Sequence, residues 1–120
     1  MSKPGKKGIA RIIDATGYSI KGFKAAWINE AAFRQEAVLF FIGLPLAYWL
    51  STSTNEFLWL TTPLFIVLLA EMANSAIEAV VDRVGSEHHE LSGRAKDMGS
   101  ALVFVSLSLV VFVWTVVLLF

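Results

Sequence analysis

The sequence predicts an all-α membrane protein: three transmembrane helices, preceded by an N-terminal amphipathic surface helix, in a single domain over residues 1–120. Hydrophobic residues make up 56% of the chain and its mean hydropathy is +0.64, above the about 45–50% apolar usage of soluble domains. That excess is gathered into three runs, after a basic stretch whose apolar residues recur with a helical period. Finally, one of the runs carries a stripe of acids along a single helical face.

MSKPGKKG, at the N-terminus, is polar and bears Gly and Pro, which predicts a frayed basic start. From there to residue 27 a surface helix is expected. Ile9, Ile12, Ile13, Ile20, Phe23 and Trp27 share one face, and Lys7, Arg11, Asp14 and Lys21 lie on the other. A basic amphipathic helix with an aromatic at its apolar edge suits a membrane surface and not a span. Gly17 and Gly22 each cost about 1 kcal/mol relative to Ala in a helix interior, so a break or bend is expected near them. Tyr18 and Ser19 stand off the apolar face and are candidates to meet a ligand.

AAWINEAAFRQE then leads into AVLFFIGLPLAYWL, an apolar run of about 14 residues. A span needs roughly 20. Beginning the helix near Asn29 and ending it near Leu50 closes the deficit and carries Glu30, Arg34 and Glu36 into its first turns. Pro45 is expected to bend it, and Tyr48 and Trp49 suit the far aromatic belt. STSTNE, residues 51–56, is a tight polar turn without Lys or Arg. The second span covers 57–82. The segment DRVGSEHHELSGRAKD, residues 82–97, is dense in charge and punctuated by Gly85 and Gly93. The third span, 98–120, is apolar throughout.

No cleavable signal peptide is visible, because the first apolar run starts near residue 37, and the first span would itself serve as the targeting signal. Basic residues in the N-terminus and in the 82–97 loop, against none in 51–56, put the N-terminus in the cytoplasm and the C-terminus outside. The formal net charge of zero hides this asymmetry. With no Cys, there is no disulfide, no thiolate nucleophile and no Cys-ligated metal.

The acid stripe lies in EMANSAIEAVVD, residues 71–82. At about 100° per residue, Glu71, Asn74, Ser75, Glu78 and Asp82 project within roughly a 100° arc. Ala73, Ala76 and Ala79 are small enough for close helix approach. An ionised carboxylate inside hydrocarbon costs several kcal/mol unless it is paired or lines a polar cavity. Asn and Ser alone would read as interhelical glue; glue does not require aligned, mutually repelling acids.

Counting about 1.5 Å per residue from Phe57 places Glu71 roughly 21 Å into the span and Glu78 roughly 31 Å, near the inner edge of a core about 30 Å thick. Glu71 then sits where the glycerol hydroxyls of a lipid would be, and Glu78 and Asp82 at headgroup level. That gradation suits an enzyme joining a membrane-borne substrate to a water-borne one. Glu30 and Glu78 converge at one level and, with Asn74, make a hard oxygen site of the kind Mg²⁺ uses when it also binds phosphates. The bland alternative for Glu30 is an ion pair with Arg34. Lys96 and Arg94 supply positive charge for phosphate, and Asp97 could hold a sugar hydroxyl or orient Lys96. Glu87, His88, His89 and Glu90 do not form HExxH and read first as a solvated loop. No GxxxxGK[ST] loop and no kinase HRD or DFG signature is present.

AAWINEAAFRQE together with EMANSAIEAVVDRVGSEHHELSGRAKDMGSA resembles the prokaryotic integral-membrane diacylglycerol kinases over residues 9–36 and 71–101. The resemblance implies a small homotrimer in the bacterial inner membrane, with active sites shared between subunits. It also implies transfer of the γ-phosphoryl of MgATP to diacylglycerol, giving phosphatidic acid. By motif position, Glu71 resembles the catalytic base, while Glu30 and Glu78, assisted by Asn74, resemble the metal ligands. Arg11, Tyr18, Ser19, Glu30, Glu78, Glu87, His89, Lys96 and Asp97 correspond to nucleotide-contacting positions. The lipid would lie along Arg11, Arg34, Gln35, Trp49, Glu71, Ser100 and Trp114. A three-helix monomer is expected to be too small to wall the acid stripe off from lipid, which separately favours an oligomer.

Three other readings compete. Related enzymes phosphorylate undecaprenol, and EMANS and SAIEA cannot separate the two lipids, since base and metal meet only a hydroxyl and a phosphate. A small cation-coupled transporter would use Glu71 and Glu78 as a relay, but transporters usually place their site at the midplane between repeated halves, and no repeat is seen. A non-catalytic assembly subunit would use the stripe only as glue.

Overall fold

The computed structural model describes residues 5–120 and, among them, contains four helices and no strand. They are α1 (Gly8–Asn29), α2 (Ala31–Leu50), α3 (Thr54–Val84) and α4 (Glu90–Leu119). Part of the expected frayed start, residues 1–4, lies outside the described residues. Helix α3 is the central element, packed on α2 along one side and on α4 along the other.

Helix α1 runs unbroken through Gly17 and Gly22, against the expected break. Gly22 sits under Met72, whose terminal methyl would lie 4.0 Å from a Cβ there, so contact with α3 backs the helix at this weak point. Ile9, Ile12, Ile13, Ile20, Phe23 and Trp27 are all exposed, and among the described residues little but Phe33, against Phe23, meets that apolar face. Only the C-terminal half of α1 approaches α3, where Gly22, Ala25, Ala26, Asn29 and Glu30 face Met72, Ser75, Ala76 and Ala79 across a groove of about 360 Å³.

The chain turns at Glu30, whose backbone (φ −121°, ψ 106°) leaves one helix and enters the next. Its N–H donates to Ala26 O at 2.9 Å, and its carbonyl accepts from Arg34 N at 3.2 Å. The Arg34 guanidinium reaches back to Trp27 O at 2.7 Å and Ile28 O at 3.4 Å. These are last-turn carbonyls of α1, which have no partner inside their own helix and attract a cation. Glu30 is therefore a corner residue and not part of a first turn begun at Asn29. The alternative Glu30–Arg34 ion pair is not formed, because the guanidinium is spent on carbonyls.

On α2, Phe33, Ala37, Phe40, Gly43 and Ala47 are buried at spacings of three and four and form the face against α3. Gly43 is required by this approach: a Cβ there would stand 2.7 Å from Leu64 Cδ1. Helical structure continues through Pro45 to Leu50. The turn that follows is locked locally. Ser53 Oγ accepts from Glu56 N at 3.1 Å, and the Glu56 carboxylate returns to the Thr52 hydroxyl at 2.6 Å.

Leu60, Leu64, Val67, Glu71 and Asn74 are buried on α3 at alternating spacings of four and three. The apolar seam of the helix and the acid stripe are thus one continuous ridge. Gly99, Val103, Ser106 and Val113 answer from α4. Trp114 Nε1 donates to Leu60 O at 2.9 Å and ties the N-terminal part of α3 to the C-terminal part of α4. Helices α3 and α4 are long and apolar enough to cross a membrane, their most apolar windows having mean hydropathies of 1.9 and 2.8. Helix α2, with Arg34 and Glu36 in its 20 residues, does not meet that measure.

Candidate functional site

Glu71 is 2% exposed and Asn74 8% within a single chain. The expectation that one chain could not wall off this part of the stripe is therefore corrected. Because the acids prolong the packing ridge, the same helix contacts that bury Leu64 and Val67 bury Glu71. Gly99 makes the closest approach possible, since a Cβ on it would collide with Asn74 Oδ1.

Several hydrogen-bonding atoms around Glu71 are left without partners. Asn74 Nδ2 donates to Glu78 Oε1 at 3.4 Å, yet Asn74 Oδ1 is buried and unpaired. Ser75 Oγ and Glu36 Oε2 are likewise buried with no partner. Buried polar groups are ordinarily satisfied, so an orphaned set is a candidate place for water, an ion or a ligand. Glu36, Glu78 and Glu30 all lie close enough to act on the charge of Glu71. By sequence alone, Glu36 has no role beyond the interface. Its spacing from Phe33, Ala37 and Phe40, which places it at the edge of the buried face of α2, was the available signal.

The metal-ligand set is brought together in part. Asn74 and Glu78 are neighbours, and Glu30 is within electrostatic reach of the same cluster. Among the described residues no three His, Asp or Glu side chains gather around one point. Mg²⁺ does not need such a cage, as it keeps several waters and binds through one or two carboxylates plus substrate phosphates. The buried, unpaired Asn74 oxygen beside a carboxylate fits a hard cation of this kind.

The loop between α3 and α4 forms the polar mouth of the site. Asp82, Glu87, His88, His89 and Lys96 line a cleft of about 400 Å³. His88, His89, Arg94 and Asp97 line a second one of about 540 Å³ beside it. The predicted nucleotide positions Glu87, His89, Lys96 and Asp97 are thereby collected around one loop. His89 has a structural duty as well, its Nδ1 accepting from Leu91 N at 3.1 Å to cap α4. Lys96 Nζ lies 2.7 Å from Asp82 Oδ1. Hydrogen bonding to Asp82, and secondarily the charge of that carboxylate, raises the lysine above its ordinary range. Lys96 is thus paired with Asp82 and not with Asp97.

The remaining predicted residues are not brought to this cluster. Arg11, Tyr18 and Ser19 are exposed on the N-terminal half of α1, with Ser19 Oγ tied to Ala15 O at 3.0 Å and Lys21 over the Tyr18 ring. Gln35 and Ser100 are exposed, and Trp49 projects into the surroundings at 79% exposure. Arg34 is engaged at the α1–α2 corner, and Trp114 is engaged with Leu60.

Residues 17–118 match the family described as prokaryotic diacylglycerol kinase. The chain belongs to that family. Relatives named diacylglycerol kinase include one from Escherichia coli K12, 53% identical over 111 residues, covering 92% of this chain and 91% of the relative. The relative from Pseudomonas aeruginosa is 47% identical over 115 residues, covering 96% and 94%. That from Haemophilus influenzae is 46% identical over 113 residues, covering 94% and 96%. Membership makes the chain an enzyme, a lipid kinase of the diacylglycerol kinase family, and its apolar helices are those of a bacterial membrane protein. A kinase calls for a nucleotide and, in general, a divalent metal.

Proposed function

We propose that this diacylglycerol kinase family member transfers the γ-phosphoryl of MgATP to the free hydroxyl of diacylglycerol, yielding phosphatidic acid and ADP. The observation that carries the reading is Glu71, a carboxylate buried on a membrane-length helix and flanked by unpaired Asn74 and Ser75 oxygens below a charged, cleft-bearing loop. Glu71 accepts the proton of the lipid hydroxyl as its oxygen bonds to the γ-phosphorus and the bond to the β,γ-bridging oxygen breaks. Glu30, Glu78 and Asn74 would hold Mg²⁺, whose role when bound is to offset charge on the transferring phosphoryl group. Lys96 meets phosphate, and Glu87, His89 and Asp97 contact the rest of the nucleotide. The exclusion of water around Glu71 lets the base act on an alcohol without competing hydrolysis.

Helix α2 is also a span, the first of three along the chain, with Arg34 and Glu36 at its cytoplasmic end, and α1 lies on the membrane with its bare isoleucines and Trp27 in the apolar boundary. The N-terminus is cytoplasmic and the C-terminus outside, in the inner membrane. The chain works as a homotrimer. Glu30, Glu71 and Glu78 come from one chain, which is where they lie within reach of one another, and Arg11, Tyr18 and Ser19 come from a neighbour, since their half of α1 projects away. Purified protein in mixed micelles should hydrolyse ATP only with added diacylglycerol and form phosphatidic acid stoichiometrically. Turnover that requires undecaprenol instead, or no lipid-dependent turnover at all, overturns the proposal.

A further inference from the structure

The acid stripe extends to Asp82, and the reaction described above gives that residue nothing to do. Its carboxylate meets Lys96 Nζ at 2.7 Å, joining the last turns of α3 to the first turns of α4 across the loop. Both side chains are substantially exposed, at 67% and 43%, and so open an ion pair contributes little to stability. Its consequence lies in where it puts the charge. A lysine has a flexible four-carbon stem and three rotating donors, so an unpaired Lys96 would spread its ammonium over many positions. Asp82 occupies one donor and leaves two for another anion. It also stands one helical turn beyond Glu78, where two like charges would repel, and the ammonium it holds is close enough to feel the Glu78 charge as well. The cation is thereby stationed between the loop cleft and the acids of α3.

We propose that Asp82 is a positioning residue for the nucleotide: its carboxylate fixes the Lys96 ammonium at the cleft mouth, ready for the phosphates of MgATP. This rests on the reading of Lys96 as a phosphate contact. Preorganisation of this sort acts on binding, by sparing the ordering cost when the ligand arrives.

Steady-state kinetics on the intact protein in mixed micelles test it, with Asp82→Asn, Asp82→Glu, Lys96→Met and the Asp82→Asn/Lys96→Met double variant. Asp82→Asn is isosteric and exposed, so folding should survive, and a thermal unfolding curve checks that. It should raise KM for MgATP by about 3- to 5-fold, the upper range for an exposed charge pair, with kcat and the Mg²⁺ requirement unchanged. Asp82→Glu should recover most of the affinity. In the Lys96→Met background, Asp82→Asn should add nothing, because a residue acting only through Lys96 has no route once it is gone. A further loss in that background, or a fall in kcat with a shifted Mg²⁺ requirement, overturns the proposal and makes Asp82 a contact in its own right. An unchanged KM for MgATP in Lys96→Met alone removes the phosphate contact and the positioning role with it; no Asp82 variant enters that result, so the two failures are told apart.

Discussion

The Asn74 side chain lies directly against the backbone of Gly99, so that no Cβ could be placed on the glycine without striking Asn74 Oδ1. Helix α4 thus forms the wall that holds a candidate metal ligand next to Glu78. Gly99→Ala must push Asn74 or the helices apart, an overpacking cost of about 1–3 kcal/mol. The expected outcome is a folded protein of lower thermal stability with Mg²⁺-dependent activity reduced well beyond that loss. Gly17→Ala, where a Cβ meets nothing within 4 Å, should instead stabilise by about 0.5–1 kcal/mol. Equal behaviour of the two variants in thermal unfolding and in activity would refute the close-approach account.

Replacing Glu71 by Gln keeps its size and hydrogen bonding while removing its power to accept a proton. A fall in kcat of at least about 10²-fold is expected, the lower end of general-base contributions. Binding of MgATP, followed by calorimetry or a fluorescent analogue, should persist. Near-normal turnover by the folded variant would take Glu71 out of the mechanism.

For the metal, Glu78→Ala removes the carboxylate that accepts from Asn74 and should weaken Mg²⁺-dependent nucleotide binding. Glu78→Asp, milder, should regain activity as Mg²⁺ is raised. The same pair of substitutions at Glu30 separates a ligand from a corner residue, because Glu30 makes its structural contacts through its backbone. An Mg²⁺ dependence that does not move in Glu30→Ala would leave Glu30 with the corner alone.

Complementation tests the proposed division between subunits. Glu71→Gln chains unfolded and reassembled with Arg11→Ala chains should form some sites carrying both native residues, and activity should return to a fraction set by subunit statistics. Glu71→Gln with Glu30→Ala should not complement, since every site would carry one defect or the other. Recovery by the second mixture, with mixed oligomers verified, would mean that the two acids come from different chains.

What the sequence determined by itself was local or periodic. Apolar runs long enough to form helices, the Gly- and charge-rich breaks between them, and the phase of Glu71, Asn74, Glu78 and Asp82 on one face all follow from a fixed 100° step per residue. A contiguous motif such as EMANSAIEAVVD carries its own geometry. Only the tertiary structure decided what that face meets. The α3 seam runs from Leu64 and Val67 straight into Glu71, so Glu71 and Asn74 are buried by their own chain while Asp82 stays exposed, a result that depends on Gly43 and Gly99 letting α2 and α4 come close. Periodicity places a side chain on a face but says nothing of what lies opposite. For that reason the burial of a Glu36 oxygen beside the α3 acids and the pairing of Asp82 with Lys96 across a loop emerged only from the packing. Trp114, expected on the lipid, also donates to Leu60 O, 54 residues away in the chain. Such pairings are set by the meeting of distant helices, which no local pattern encodes.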